Sequence, residues 1–188
     1  MPADPLNERR VRPLYAYEIE EARAVFGSRL NYDRVRVHEG AAWTDALDRL
    51  GRKLKRLPPL AGHNALTLGY HCYFPVRLPE TLSAPQDPFG MSWLMHELTH
   101  AWQYQQIGWR YLILALSAQF RLGAKAYDFG GAKGLDDRRR EMGNLFNFNL
   151  EQQGDIAREY YIRLRTGQEV TAWVAYIGDI QERDRWTV

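Results

Sequence analysis

Apolar residues recur along this chain at two spacings, and the changes of spacing mark out its elements. Tyr17 to Phe26 carries its apolar positions at helical intervals, and Gly27 closes the segment. From Asn31 to His38 the pattern alternates through Tyr32, Arg34, Val35, Arg36 and Val37, which predicts a strand. Ala42 to Arg56 returns to helical spacing through Trp43, Leu47, Leu50 and Leu54, and Pro58-Pro59 stops it. Asn64 to Phe74 is dense in β-forming residues and ends before Pro75, so it reads as one strand. Its exposed edge could hold an extended peptide, and an ordinary sheet strand explains the pattern equally well.

Pro75, Pro79, Pro85 and Pro88 make residues 75–90 a loop. A helix is predicted from about Ser92 to Gln106, with Ser92 as its N-cap and Gly108 just past its end. Trp109 to Leu122 reads as a second helix. Residues 123–144, rich in glycine and holding the charged run Asp136 to Glu141, read as mostly loop. Phe146 to Leu164 is a long helix ended by Gly167, and Val170 to Ile180 a last one. The predicted class is α+β: mostly helical, with a small sheet ahead of the Ser92–Gln106 helix. Residues 1–13, rich in proline and charge, are expected to be a flexible arm, and 14–188 a single domain.

Composition narrows the function classes. With 45% apolar and 26% charged residues the chain is an ordinary globular one, neither disordered nor fibrous. A formal charge of +2 argues for no nucleic-acid partner, and the short basic runs at Arg9–Arg10, Arg52–Lys53 with Lys55–Arg56, and Arg138–Arg140 read as solvated faces. The one cysteine, Cys72, excludes an internal disulfide and a thiolate zinc cluster. The most apolar stretch, Tyr111 to Ala118, is far short of the ~20 residues of a membrane span, so no membrane partner is expected. No secretory signal is visible, which predicts cytoplasmic synthesis and leaves open export by a route without a cleavable signal.

The chemistry concentrates in Trp93-Leu94-Met95-His96-Glu97-Leu98-Thr99-His100-Ala101-Trp102. Residues four apart on a helix share a face, so His96 and His100 can offer two imidazole nitrogens to one tetrahedral ion. Glu97, at the edge of that face, can take a proton from a water in the open coordination position. By chance, His-Glu-x-x-His should occur in about one chain of this length in a hundred or fewer. A third ligand is needed. The metzincin positions hold Gln103 and Gln106, and no histidine follows His100, so the third ligand must be a carboxylate. Of the downstream glutamates only Glu151 has an aspartate four residues on, Asp155. An isolated Glu-x-x-x-Asp is usually a solvated face. Behind His-Glu-x-x-His, in a helix of its own, it supplies a metal ligand in Glu151 and a hydrogen-bond partner for a ligating imidazole in Asp155. Gly154 fits close approach of two helices, or a glycine merely tolerated. His38, His63 and His71 read as hydrogen-bonded residues rather than ligands.

These residues resemble the gluzincin branch of the zincin metallopeptidases. That likeness implies Zn2+ held by His96, His100 and Glu151, with Glu97 as general base and Asp155 supporting the first histidine. Gluzincins also carry a histidine or tyrosine, beyond the third ligand, that stabilises the oxyanion. Here the candidates are Arg158, Tyr160, Tyr161 and Tyr176, and the sequence does not choose among them. A broader resemblance runs through Glu18 to Val37, Asn64-Ala-Leu-Thr-Leu-Gly-Tyr-His-Cys-Tyr-Phe74, Trp102-Gln103-Tyr104-Gln105 and Glu151-Gln152-Gln153. It is to a family of small bacterial zincin-like proteins described as VgrG-related and found near type VI secretion components. It implies a compact zincin-like domain and a partner in VgrG or another secretion component. Two functions follow: a zinc metallopeptidase acting on a peptide, a protein or peptidoglycan, or a non-catalytic module in which zinc ties two helices together. The presence of Glu97 favours the first, because a structural site needs no carboxylate there.

Overall fold

In the computed structural model the described residues are 9–54, 63–78, 88–122 and 126–182. Helix α1 spans Ala16–Phe26; Glu18 in its first turn reaches back to accept from the Tyr15 backbone N–H at 2.8 Å, and Gly27 ends it with φ of 53°. A single 3₁₀ turn, Tyr32–Arg34, then leads into strand β2, Arg36–Glu39. The strand is therefore shorter than the predicted Asn31–His38, because Asn31 to Val35 close a hydrogen-bonded turn. Helix α2 covers Trp43–Leu54.

Asn64 to Phe74 is a hairpin rather than one strand. Strands β3, Leu66–Leu68, and β4, His71–Tyr73, flank a turn in which Gly69 adopts φ of 67°. Strand β1, Arg10–Arg12, completes the sheet, so that part of the predicted arm is ordered; residues 1–8 lie outside the described residues. The order is β1-β2-β4-β3, with β2 and β4 parallel and the other pairs antiparallel. Alternation sorts the side chains: Arg12, Val37, Glu39, Thr67 and Cys72 face inward and are buried, while Val11, His38, His71 and Tyr73 face outward.

Helix α3 runs over Pro88–Ile107 and begins earlier than expected. Proline suits a first helical turn, and Ser92, the predicted cap, is buried inside the helix. Its faces bury Leu94, Met95, Leu98 and Trp102, because α3 lies between the sheet and helix α6, Leu150–Arg165. Asn149 caps α6 by accepting from the Gln152 N–H at 3.0 Å. Helix α4, Arg110–Leu122, follows α3 directly. Helix α5, Gly131–Arg140, replaces the predicted loop: Leu135 anchors it in the core, and Asp137 pairs with Lys133 and Arg140 along its surface. Helix α7, Thr171–Glu182, buries Trp173, Tyr176, Ile177 and Ile180 and packs on α1, α5 and α6. The class is α+β, as the patterning predicts.

Candidate metal centre

Among the described residues, helices α3 and α6 form the most extensive contact between elements, and a glycine lets them meet. A Cβ on Gly154 would lie 2.7 Å from Cε1 and 2.8 Å from Nδ1 of His96, inside van der Waals contact. Close approach, not tolerance, therefore explains this glycine. Because the backbone of α6 touches the ring, Glu151 and Asp155, either side of Gly154, reach the imidazoles of α3.

His96, His100 and Glu151 converge, all buried. The two Nε2 atoms are 3.2 Å apart, and Glu151 Oε2 lies 3.4 Å from that of His96 and 3.6 Å from that of His100. Donors held about 2.0–2.1 Å from one tetrahedral ion stand about 3.3–3.4 Å from each other. The triangle has the dimensions of a tetrahedral face.

Hydrogen bonds fix which ring nitrogens point inward. Nδ1 of His96 donates to Asp155 Oδ1 at 3.0 Å, so its Nε2 carries the lone pair. Nδ1 of His100 donates to Gln103 Oε1 at 2.8 Å. The orientation of that amide is determined, because Gln103 Nε2 donates to the Leu150 carbonyl and to Gln153 Oε1, each at 3.0 Å. Gln153 is fixed in turn by donating to the Phe148 carbonyl at 2.9 Å. Two Nε2 atoms and a carboxylate oxygen thus face one point, where a proton on an imidazole or a metal ion can offset the charge of the carboxylate. The local field favours positive charge. Burial works against a charged imidazole, yet the hydrogen bonds it donates to Asp155 and Glu151 overcome this and push His96 up to about 10. His100 is likewise raised by Glu151 against burial, and Glu151 is held well below the usual carboxylate range by both histidines despite burial. Two imidazoles and a carboxylate are a donor set that suits zinc.

Glu97 is buried beside this triangle, within electrostatic reach of both imidazoles. Its Oε2 accepts from the Thr67 hydroxyl at 2.7 Å, tying the acid to strand β3. That strand is an edge of the sheet, and its Thr67 carbonyl accepts from the Tyr111 hydroxyl of α4 at 2.5 Å. His96, Glu97 and His100 of α3 and Glu151 and Asp155 of α6 therefore lie in one cluster.

Of the predicted oxyanion candidates, Arg158 reaches the cluster through Asp155, while the hydroxyls of Tyr161 and Tyr176 are engaged elsewhere. The Tyr161 hydroxyl donates to Glu21 at 2.7 Å, and that of Tyr176 to the Leu135 carbonyl at 2.7 Å. Tyr160 packs on the core, and Arg158 pairs with Asp155 at 3.2 Å. Tyr127 comes near instead, its ring 6.3 Å from that of His96. It precedes Glu151 in the chain, so a search beyond the third ligand passes over it. Thr67, Gln103 and Gln153 were also missed. Only Gln103 has a signal, its spacing of three from His100 on the same helix. His38, His63 and His71 behave as expected: His38 and His71 share a hydrogen bond of 2.8 Å, and His63 pairs with Asp45 at 2.7 Å.

With this geometry in hand, one likeness among known proteins bears on it. The chain is 28% identical to the type VI secretion system spike protein VgrG2b of Pseudomonas aeruginosa. The aligned 172 residues are 89% of this chain and 14% of VgrG2b, so the chain spans about a seventh of that protein's length. No family model matches the chain, and no solved structure matches it.

Proposed function

We propose that this protein is a zinc-dependent hydrolase, a peptidase that cleaves a peptide bond in a protein or in peptidoglycan. One observation carries the reading: a donor triangle of tetrahedral dimensions with a buried carboxylate, Glu97, beside it that is not one of its corners. His96, His100 and Glu151 hold the ion, and when bound it supplies Lewis acidity, lowering the pKa of a water and polarising the scissile carbonyl. Glu97 receives the proton of the attacking water and returns it to the leaving amine. The Thr67 hydroxyl holds Glu97 in one rotamer, so the base is positioned before substrate arrives. Asp155 and Gln103 keep both imidazoles in the tautomer that presents Nε2. The gluzincin-like order of these residues along the chain supports the same reading. Similarity to VgrG2b supports association with a type VI secretion system, which would bring a protein made in the cytoplasm to its substrate without a cleavable signal.

A structural ion that only ties α3 to α6 predicts a different response to one substitution. Glu97→Gln is expected to keep stoichiometric zinc and to lose cleavage of a peptide library or of peptidoglycan by a factor of at least about 100. Should zinc-loaded wild type cleave nothing that this variant spares, the site is structural and the hydrolase reading is lost.

A further inference from the structure

Helix α2 leaves an apolar stripe in solvent. Trp43, Leu47 and Leu50 follow one another at the spacing of a single helical face and are 38%, 55% and 55% exposed. The helix is attached through another side. Its Thr44 is buried, with the hydroxyl on the Ala41 carbonyl at 3.1 Å, and Asp45 accepts from the Asn64 backbone N–H at 2.8 Å and pairs with His63. The stripe is thus turned outward by the way α2 is fastened. It continues onto the open face of the sheet, where Trp43 meets Tyr73 edge-on at 5.2 Å and Tyr73 stacks on His38 at 4.3 Å. Val11, opposite His38 in the strand register, is 61% exposed.

Charge identifies what such a surface fits. Between residues 43 and 56 the sequence holds five basic residues, Arg49, Arg52, Lys53, Lys55 and Arg56, against two acidic ones, Asp45 and Asp48. Arg49 and Lys53 are exposed on the helix, and Asp45 is already engaged by His63. An aromatic and leucines on one face with lysine and arginine on the others is the make-up of a helix that lies in a membrane interface. A protein groove selects differently, since interface centres are depleted of lysine. We infer that α2 docks this protein onto an anionic lipid bilayer, with Trp43, Leu47 and Leu50 entering the headgroup region and Arg49 and Lys53 meeting lipid phosphates. Such docking requires no spanning segment, and no helix among the described residues is long and apolar enough to cross a membrane. The inference is independent of the metal centre.

Vesicle flotation of the whole chain tests it, with phosphatidylcholine vesicles compared with phosphatidylcholine–phosphatidylglycerol vesicles. Wild type should float with the anionic vesicles only, and less as salt is raised. Leu47→Glu with Leu50→Glu should reduce flotation on the order of tenfold or more, and Arg49→Glu with Lys53→Glu should do so to a smaller degree. An unchanged circular-dichroism spectrum and an unchanged urea midpoint in both variants show that the fold survives. Wild type that stays with the unbound protein overturns the inference, as do glutamate variants that float as wild type does. A dimer lost on the Leu47→Glu, Leu50→Glu change, without vesicle binding, assigns the stripe to a second copy of the chain and overturns it as well.

Discussion

Two clusters of ionisable side chains are buried among the described residues, and they are built on opposite principles. In the first, Arg12 lies between Glu18 and Glu39. Its guanidinium donates to both oxygens of Glu18, at 2.7 and 2.8 Å, and to Glu39 at 3.0 Å. Burial opposes its charge, but the two carboxylates more than compensate and raise its pKa. Donors meet three of the four carboxylate oxygens, Glu39 Oε2 being left without a hydrogen bond, and the cluster is closed on its own cation. In the second, His96, His100 and Glu151 turn two imidazole nitrogens and a carboxylate oxygen toward one point, with no permanent cation among them. Burial is alike in the two, so burial of charge alone marks no site. What marks the site is the convergence of two imidazole nitrogens and a carboxylate oxygen at the spacing of metal donors.

The largest effect is expected at the closed cluster. Arg12→Met leaves two carboxylates buried without their cation, which should cost about 3–5 kcal/mol in urea unfolding. Molecules that remain folded should bind zinc as wild type does. A loss of zinc stoichiometry in the folded fraction would mean that the two clusters are coupled.

The open cluster should respond to the ion instead. Zinc at about 100 times its dissociation constant should raise the unfolding free energy by about 2.7 kcal/mol, measured against protein stripped with a chelator. Glu151→Gln should abolish most of that gain, measured against the same variant stripped with a chelator. If zinc stabilises the variant as well as wild type, Glu151 is no ligand.

A smaller effect is expected from a single methyl group. Gly154→Ala sets a carbon within 2.7 Å of the His96 ring, so the ring or α6 must shift. Zinc affinity should fall by up to about 100-fold, the range seen when a ligand's support is disturbed. Gly178→Ala is the control: nothing lies within 4 Å of its new methyl, and alanine in a helix should stabilise by roughly 0.5–1 kcal/mol. Equal zinc affinity in both variants would remove close packing as the reason for Gly154.

The contrast also explains what was legible in the sequence. His96, Glu97 and His100 stand out because helical periodicity alone puts them on neighbouring faces, and Glu151 with Asp155 follows by elimination and spacing. The helices α1, α4, α6 and α7 are legible for the same reason, as each has an apolar face at local spacing. Helix α5 is not, because its glycines and charges mask one buried leucine, Leu135, and its surface ion pairs. The β3–β4 hairpin reads as one strand because Gly69 and Tyr70 interrupt no hydrophobic run. Thr67 and Tyr127 reach the site only through tertiary packing, and nothing local announces them. The Arg12 cluster was illegible too, since Arg12 sits in a segment whose composition suggests a loose arm.

Gln103 gives the finest test, because it serves both principles at once. Its Oε1 accepts from His100 and presents the lone pair of Nε2, while its Nε2 closes the hydrogen bonds of Leu150 and Gln153. Gln103→Leu removes both, so zinc affinity should fall about tenfold and the chelated protein should lose about 1–3 kcal/mol from the acceptors left unpaired. Gln103→Glu separates the roles. Its carboxylate still accepts from His100, so zinc affinity should be restored to near wild type, but it donates nothing, so the stability loss should remain. The amide at His100 is neutral where His96 has a carboxylate, which is why this effect is placed at the low end of the range. Parallel loss of affinity and stability in the glutamate variant would show that Gln103 acts only by packing, and the tautomer argument for His100 would fall with it.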